Sequence, residues 1–148
     1  MRVRKASTSD LDIIVDFIAE EAREAEGRTL ERETLELGIG AALNDDSIAD
    51  YWLLVSDSGT ACGCTSVIKE WSDWNAGFYW WIQSMYVVPD CRGKGYLNTL
   101  LDSVAQAART RKCLELRLYV HKDNKAAVRA YEKADFRDSP YLIMSRRV

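Results

Sequence analysis

A chain of 148 residues, 47% hydrophobic and 29% charged, is long enough for one domain with a real core and too ordinary in composition for a disordered or fibrous protein. A net charge of −3 argues against a free-standing nucleic-acid binder, and no stretch approaches the roughly 20 apolar residues that span a bilayer. Neither nucleic acid nor membrane is expected as a partner, and the charged start MRVRKASTSD lacks the apolar run of a secretory leader.

The expected organisation is a single domain over 1–148. MRVRKA alternates like a strand, and Ser9 with Asp12 three positions on resembles a short capping box. Leu11, Ile14, Val15, Ile18, Ala22 and Ala25 then recur at helical spacing, with Glu20, Glu21 and Glu24 assigned elsewhere on that helix. A weaker helix is predicted from Leu30 to Leu43, because Gly38 and Gly40 each cost about 1 kcal/mol relative to alanine. Tyr51–Ser56 reads as a buried strand, and Thr60–Glu70 and Phe78–Val88 as a hairpin with a longer loop.

The period then changes. Leu97, Leu100, Leu101, Val104, Ala105 and Ala108 form a helical stripe ending in cations. Leu114–Val120 alternates as a strand, Ala127, Ala130, Tyr131 and Ala134 mark a last helix, and Tyr141–Arg147 is predicted to close the chain as a strand. The expected fold class is α+β, a three-layer αβα domain with a mixed, mostly antiparallel sheet of six or seven strands.

Cysteine chemistry is poorly supplied. Cys62 and Cys64 are too close for the usual zinc pair, and His121 is the only histidine. The four cysteines are expected to be buried and inert in a cytoplasmic protein, with no metal.

Two segments carry chemistry. The first, Met85 to Asn98 (MYVVPDCRGKGYLN), runs from a strand end through a Gly-rich turn into a helix. Glycines let the backbone turn and approach a ligand, successive N–H groups at such a turn form an anion nest, and the helix adds its positive end. Arg92 and Lys94 add charge. The segment is not a Walker A loop, since Gly95 follows Lys94, and taken alone it is equally a basic strand-to-helix turn. In the second segment Asn124 stands near a helix start and Tyr131 seven residues on, two turns away on the same side. Alone, that reads as an N-cap and a core tyrosine.

Together, in this order, the two segments resemble the general-control-related N-acetyltransferase (GNAT) superfamily. Its coenzyme loop, Arg or Gln, two residues, Gly, one residue, Gly or Ala, matches Arg92, Gly95 and Leu97, with Leu97 replacing a small residue. Its second motif matches Asn124, Ala127, Tyr131, Lys133, Asp135 and Phe136, with Asp135 replacing glycine. The resemblance implies an acyl-CoA N-acyltransferase fold and an acetyl-CoA-dependent transfer to an amine by direct attack in a ternary complex. It also implies that Gly93, Lys94, Gly95, Leu97 and Asn98 donate backbone N–H groups to the coenzyme pyrophosphate. Met85 and Val87 would pair with the pantetheine arm, which Asn124 also binds. Tyr131 would protonate departing CoA. The glutamate base of some relatives is Trp81 here; Gln83 points to the same face, and Glu70 is a further carboxylate candidate. A dense group of aromatic residues, Trp71, Trp74, Tyr79, Trp80, Trp81 and Tyr86, reads as packing with some of its members lining the acceptor side. A non-catalytic acyl-CoA-binding module on the same fold is the alternative, and a homodimer through the sheet or the C-terminal strand stays open.

Overall fold

The computed structural model describes residues 1–148. Five strands form one sheet in the order β1 (Arg2–Lys5), β2 (Asp50–Val55), β3 (Ala61–Ser72), β4 (Gly77–Val87) and β5 (Glu115–Leu118). The first three pairings are antiparallel, and β4 pairs with β5 in parallel. Four helices cover the sheet: α1 (Leu11–Glu26), α2 (Arg32–Asn44), α3 (Tyr96–Thr110) and α4 (Lys125–Lys133).

Alternation along β2 divides the core. Tyr51, Leu53 and Val55 pack with Ile14, Val15 and Phe17 of α1 and Ile39 and Ala42 of α2. Trp52 joins Val67, Trp80 and Ile82 against Leu101, Val104 and Ala108 of α3. Both faces of β2 are therefore covered, and all six of its residues are buried, as its continuous apolar run YWLLV requires.

The cap that opens the first helical stretch is Ser7, two residues before the expected Ser9, while α1 itself begins at Leu11. A short 3-10 turn, Thr8–Asp10, leads into it, and the Ser7 N–H donates to the Asp10 carboxylate at 2.8 Å. That is one half of a capping box built on Ser7 and Asp10 rather than on Ser9 and Asp12. Asp10 also accepts both ends of the Arg4 guanidinium, at 2.8 and 2.7 Å, which ties β1 to the helix start. Gly27, in the left-handed region at φ 64°, ends α1.

The sheet has five strands, not six or seven. Residues 141–147 form no strand: Tyr141, Leu142, Ile143 and Met144 are 73, 90, 72 and 91% exposed. A strand exists only as one side of a ladder, and nothing in the chain pairs with this segment. The apolar run Tyr141–Met144 is there, but the partner is not.

Candidate active site

β4 and β5 stay together only from Tyr79 opposite Glu115 to Ile82 opposite Leu118. Beyond that the strands part, and a cleft of about 1070 Å³ opens between Gln83, Met85 and Val87 on one side and Tyr119, Val120 and His121 on the other. Glu21 and Glu24 of α1, the Gly-rich turn, the start of α3 and the inner face of α4 complete its walls.

The register explains how β4 presents itself there. Ser66 lies opposite Ser84 but Val67 lies opposite Ile82, so Gln83 is an extra residue on β4, a bulge. A one-residue insertion inverts the alternation beyond it. Trp80 and Ile82 face α3, and without the bulge Tyr86 would do the same. Instead Tyr86 turns to the α1 side, its ring 5.5 Å from that of Phe17, while Val87 packs with Leu54 and Leu100 on the α3 side. Gln83, the bulged residue, lines the cleft, whereas Trp81 does not.

The turn after β4 has the backbone that its glycines foretold. Gly93 and Gly95 adopt φ 71° and 80°, and an added Cβ at either would meet nothing within 4 Å. Gly95 is also the N-cap of α3, with no side chain capping the helix and no acid in its first turn. The first helical bond runs from Thr99 N to Gly95 O, which leaves the N–H groups of Tyr96, Leu97 and Asn98 outside the helix ladder. Such an end is ready for an anion. Leu97 packs against the α3-side core while bordering the cleft, so its bulk is largely absorbed inward.

The cations of the turn are otherwise engaged. Arg92 donates through Nε to the Val87 carbonyl at 2.8 Å and through a terminal nitrogen to Glu24 at 2.6 Å. It staples the turn to β4 and α1. The Lys94 ammonium bonds the Asp90 carbonyl at 2.8 Å and does not line the cleft.

Asn124 caps α4, its side-chain oxygen accepting from Ala127 N–H at 3.1 Å. That fixes the amide and leaves its NH₂ for another partner. Ala127 and Tyr131 follow on the cleft side of the helix. Phe136 holds the Tyr131 ring edge-on at 5.8 Å, and Asp135 takes the left-handed conformation, φ 66°, that the glycine of the motif would adopt. Burial, and then the negative charge of Glu21, pushes the Tyr131 hydroxyl up to about 12, so it is protonated at neutral pH.

Trp81 and Glu70 meet each other rather than the cleft: the indole N–H donates to the Glu70 carboxylate. Tyr119, stacked on Trp81 at 4.5 Å, is their link to it. The aromatic residues do not form one cluster. Trp80 is core, Tyr86 packs on α1, and Trp71 and Trp74 stand exposed, by 57 and 88%, at the β3–β4 hairpin tip.

Glu21 is the functional candidate that sequence reasoning passed over. Its carboxylate accepts the Met85 N–H at 3.0 Å, inside the cleft. The signal was present: Glu21 is seven residues after Ile14 and four after Phe17, on the core-facing stripe of α1 rather than off it.

A forked sheet, a turn that leads into a helix end with free N–H groups, and a protonated tyrosine surround one cleft. Comparison with known proteins gives the class. The sequence matches the model of the Acetyltransferase (GNAT) family over residues 12–136, and the chain belongs to that family. It is similar to an acetyltransferase of Yersinia pestis (strain Pestoides F), 28% identical over 113 residues, which are 76% of this chain and 74% of that one. It is also similar to one of Sodalis glossinidius (strain morsitans), 29% identical over 76% and 75% of the two chains. Among solved structures, a possible acetyltransferase from Clostridium difficile 630 superposes with a TM-score of 0.93 at 31% identity, over 99% of this chain and 97% of that one. The ribosomal-protein-alanine N-acetyltransferase from Brucella melitensis biovar Abortus 2308 shares the fold, with a TM-score of 0.80 at 19% identity over the whole of both chains. The chain is an N-acetyltransferase, and none of these similarities specifies its acceptor.

Proposed function

We propose that the protein transfers acetyl from acetyl-CoA to an amine by direct attack while both are bound. The observation that carries this is the convergence in one cleft of a strand N–H the sheet does not use (Met85), an anion-ready turn and Tyr131. The open space beside Gly93 and Gly95 fits a pyrophosphate on the N–H groups of Gly93, Lys94, Gly95, Leu97 and Asn98. The fork fits an extended pantetheine arm along Met85 and Val87, with the Asn124 amide as a further partner. When bound, the coenzyme supplies an acetyl thioester. The Met85 N–H faces the carbonyl oxygen, a contact that strengthens as charge develops there. Tyr131 gives its proton to the leaving sulfur.

Titration with acetyl-CoA, beside adenosine 3′,5′-bisphosphate and desulfo-CoA, tests the site: tight binding that needs the pantetheine arm supports it, and no binding at high micromolar levels overturns it. Tyr131→Phe is expected to lower kcat by about 10²-fold with acetyl-CoA affinity unchanged, general acid help being worth about 10²–10⁴. Equal turnover would remove Tyr131 from the chemistry. A panel of polyamine, aminoglycoside, amino acid and peptide amines separates this reading from a module that binds coenzyme without consuming it.

No metal takes part in this reading, and the protein is placed in the cytoplasm, where its four free cysteines stay reduced. A homodimer is part of it as well. Each chain exposes the apolar segment 141–144 and also an unpaired edge, β5, flanked by the exposed Leu114 and Tyr119. Reciprocal addition of one copy's segment to the other's edge satisfies both in a two-fold dimer.

A further inference from the structure

We propose that Glu21 is the general base of the transfer and that the coenzyme itself switches it on. This rests on the acetyl-CoA site described above.

The Met85 N–H points at the Glu21 carboxylate, 3.0 Å away, in the place where a thioester carbonyl would take the same donor. One N–H cannot serve both. Seating the thioester therefore displaces the carboxylate from its hydrogen bond and turns it toward the remaining cleft, where the acceptor must enter.

The surroundings of Glu21 suit a base. Burial raises its carboxyl above the ordinary range, the Met85 N–H only partly opposing this and the charge of Glu26 adding to it. The groups around it are neutral or acidic. Tyr51 of β2, Cys64 of β3 and Tyr131 of α4 all feel its charge, and Glu24 and Glu26 share its helix. Of the cations lining the cleft, Arg92 is held by Glu24 at 2.6 Å, and Arg129 and Lys133 of α4 make no ion pair with Glu21. A half-hidden carboxylate without a cation is costly. Asp50, deeply buried elsewhere in the sheet, has three cations within 3.2 Å. Glu21 has none, and an ammonium group in the cleft would be its first. Losing the Met85 hydrogen bond, which favours the charged form, raises its proton affinity further at the moment the acyl donor is in place.

The acceptor is accordingly an amine that arrives as a cation. Glu21 takes one proton from the ammonium. The freed nitrogen lone pair forms the C–N bond to the thioester carbon while charge moves onto the oxygen facing Met85 N–H. The C–S bond then breaks, the sulfur takes the Tyr131 proton, and the second proton shed by nitrogen restores Tyr131 through solvent. Glu21 returns its proton to water, so amide, CoA thiol and one released proton balance the ammonium and thioester.

The test needs no known acceptor. Acetyl-CoA is titrated calorimetrically into the parent and Glu21→Gln near pH 6, in buffers of different ionisation heat. The parent should take up a fraction of a proton more per coenzyme bound than Glu21→Gln. Adenosine 3′,5′-bisphosphate, with phosphates but no thioester, should show no such difference. Equal proton counts with acetyl-CoA overturn the switch while leaving the coenzyme site standing; absence of binding to the parent overturns both. With an amine found by the panel, Glu21→Gln should lose about 10²–10³-fold in kcat/KM at pH 7, because only about one alkyl amine in 10³ is neutral there, and the deficit should close towards pH 10. A pH-independent deficit, or none, removes Glu21 as base. The thermal midpoint of Glu21→Gln should not fall, since the substitution removes an uncompensated charge. If it does fall, Glu21→Asp replaces it: the shortened acid should retain the acidic limb of the parent profile at reduced height, and an unchanged height would count against the proposal.

Discussion

Two aspartates near the end of β1, Asp50 at the start of β2 and Asp10 in the turn before α1, show how single residues hold the sheet. Asp50 is 1% exposed, with the ammonium groups of Lys5 and Lys69 and the Arg111 guanidinium at 2.6, 2.9 and 3.2 Å. These join β1, β3 and the end of α3 on one carboxylate. Burial alone would push that carboxyl up, but Lys5 and Lys69 more than reverse this and hold it below the ordinary value. Asp50→Ala would leave three cations facing one another, and a cost of about 3 kcal/mol, or about 10 °C in Tm for a chain of this length, is expected from calorimetry. The Arg4 hydrogen bond outweighs burial at Asp10 and holds its carboxyl at about 2. Both folded values are depressed, so the stability they give is present above the ordinary carboxylate range and is lost as pH falls below it, for Asp10 towards about 2. The Tm of the parent should drop across that window, and Asp10→Asn should flatten part of the drop; an unchanged slope would contradict the assignment.

At the scale of elements, the bulge in β4 decides which side chains meet. Deleting Gln83 restores strict alternation and turns Met85, Tyr86 and Val87 to their opposite faces. The expected result is loss of acetyl-CoA binding with the helical circular-dichroism signal retained; retained binding would show that the bulge does not set the donor. This feature also marks where the sequence was readable. The helix stripes, the hairpin and the strand-turn-helix segment with Arg92, Gly93 and Gly95 were legible because periodicity and positive-φ glycines are local properties. The bulge was not, since an extra residue shows only against the partner strand. Residues 141–147 begin with an apolar run of strand-forming character, but a strand depends on a neighbour that local pattern does not reveal. Glu21 was legible in spacing and hidden by its residue type, because a carboxylate on an apolar stripe looks like a break in the stripe.

At the scale of the molecule, the exposed C-terminal segment bears on assembly. Sedimentation velocity is expected to give a dimer for the whole chain and a monomer for a chain ending at Asp138. A monomeric whole chain would remove the exchange. The residues of the cleft come from α1, β4, the turn behind it, the start of α3, the segment after β5 and α4, so its walls span Glu21 to Lys133 and are drawn from most of the fold.

The fork between β4 and β5 has one more consequence. It is a sheet edge inside a sheet, with four pairs of residues joining the strands at one end and none at the other. A molecule lying in the gap bridges the two strands and binds only the folded chain. By mass action such a ligand at 100 times its Kd adds about 2.7 kcal/mol to the folding free energy. With the acyl donor seated there as proposed, resistance to heat and proteolysis is expected to rise with donor supply, and digestion with and without acetyl-CoA checks this.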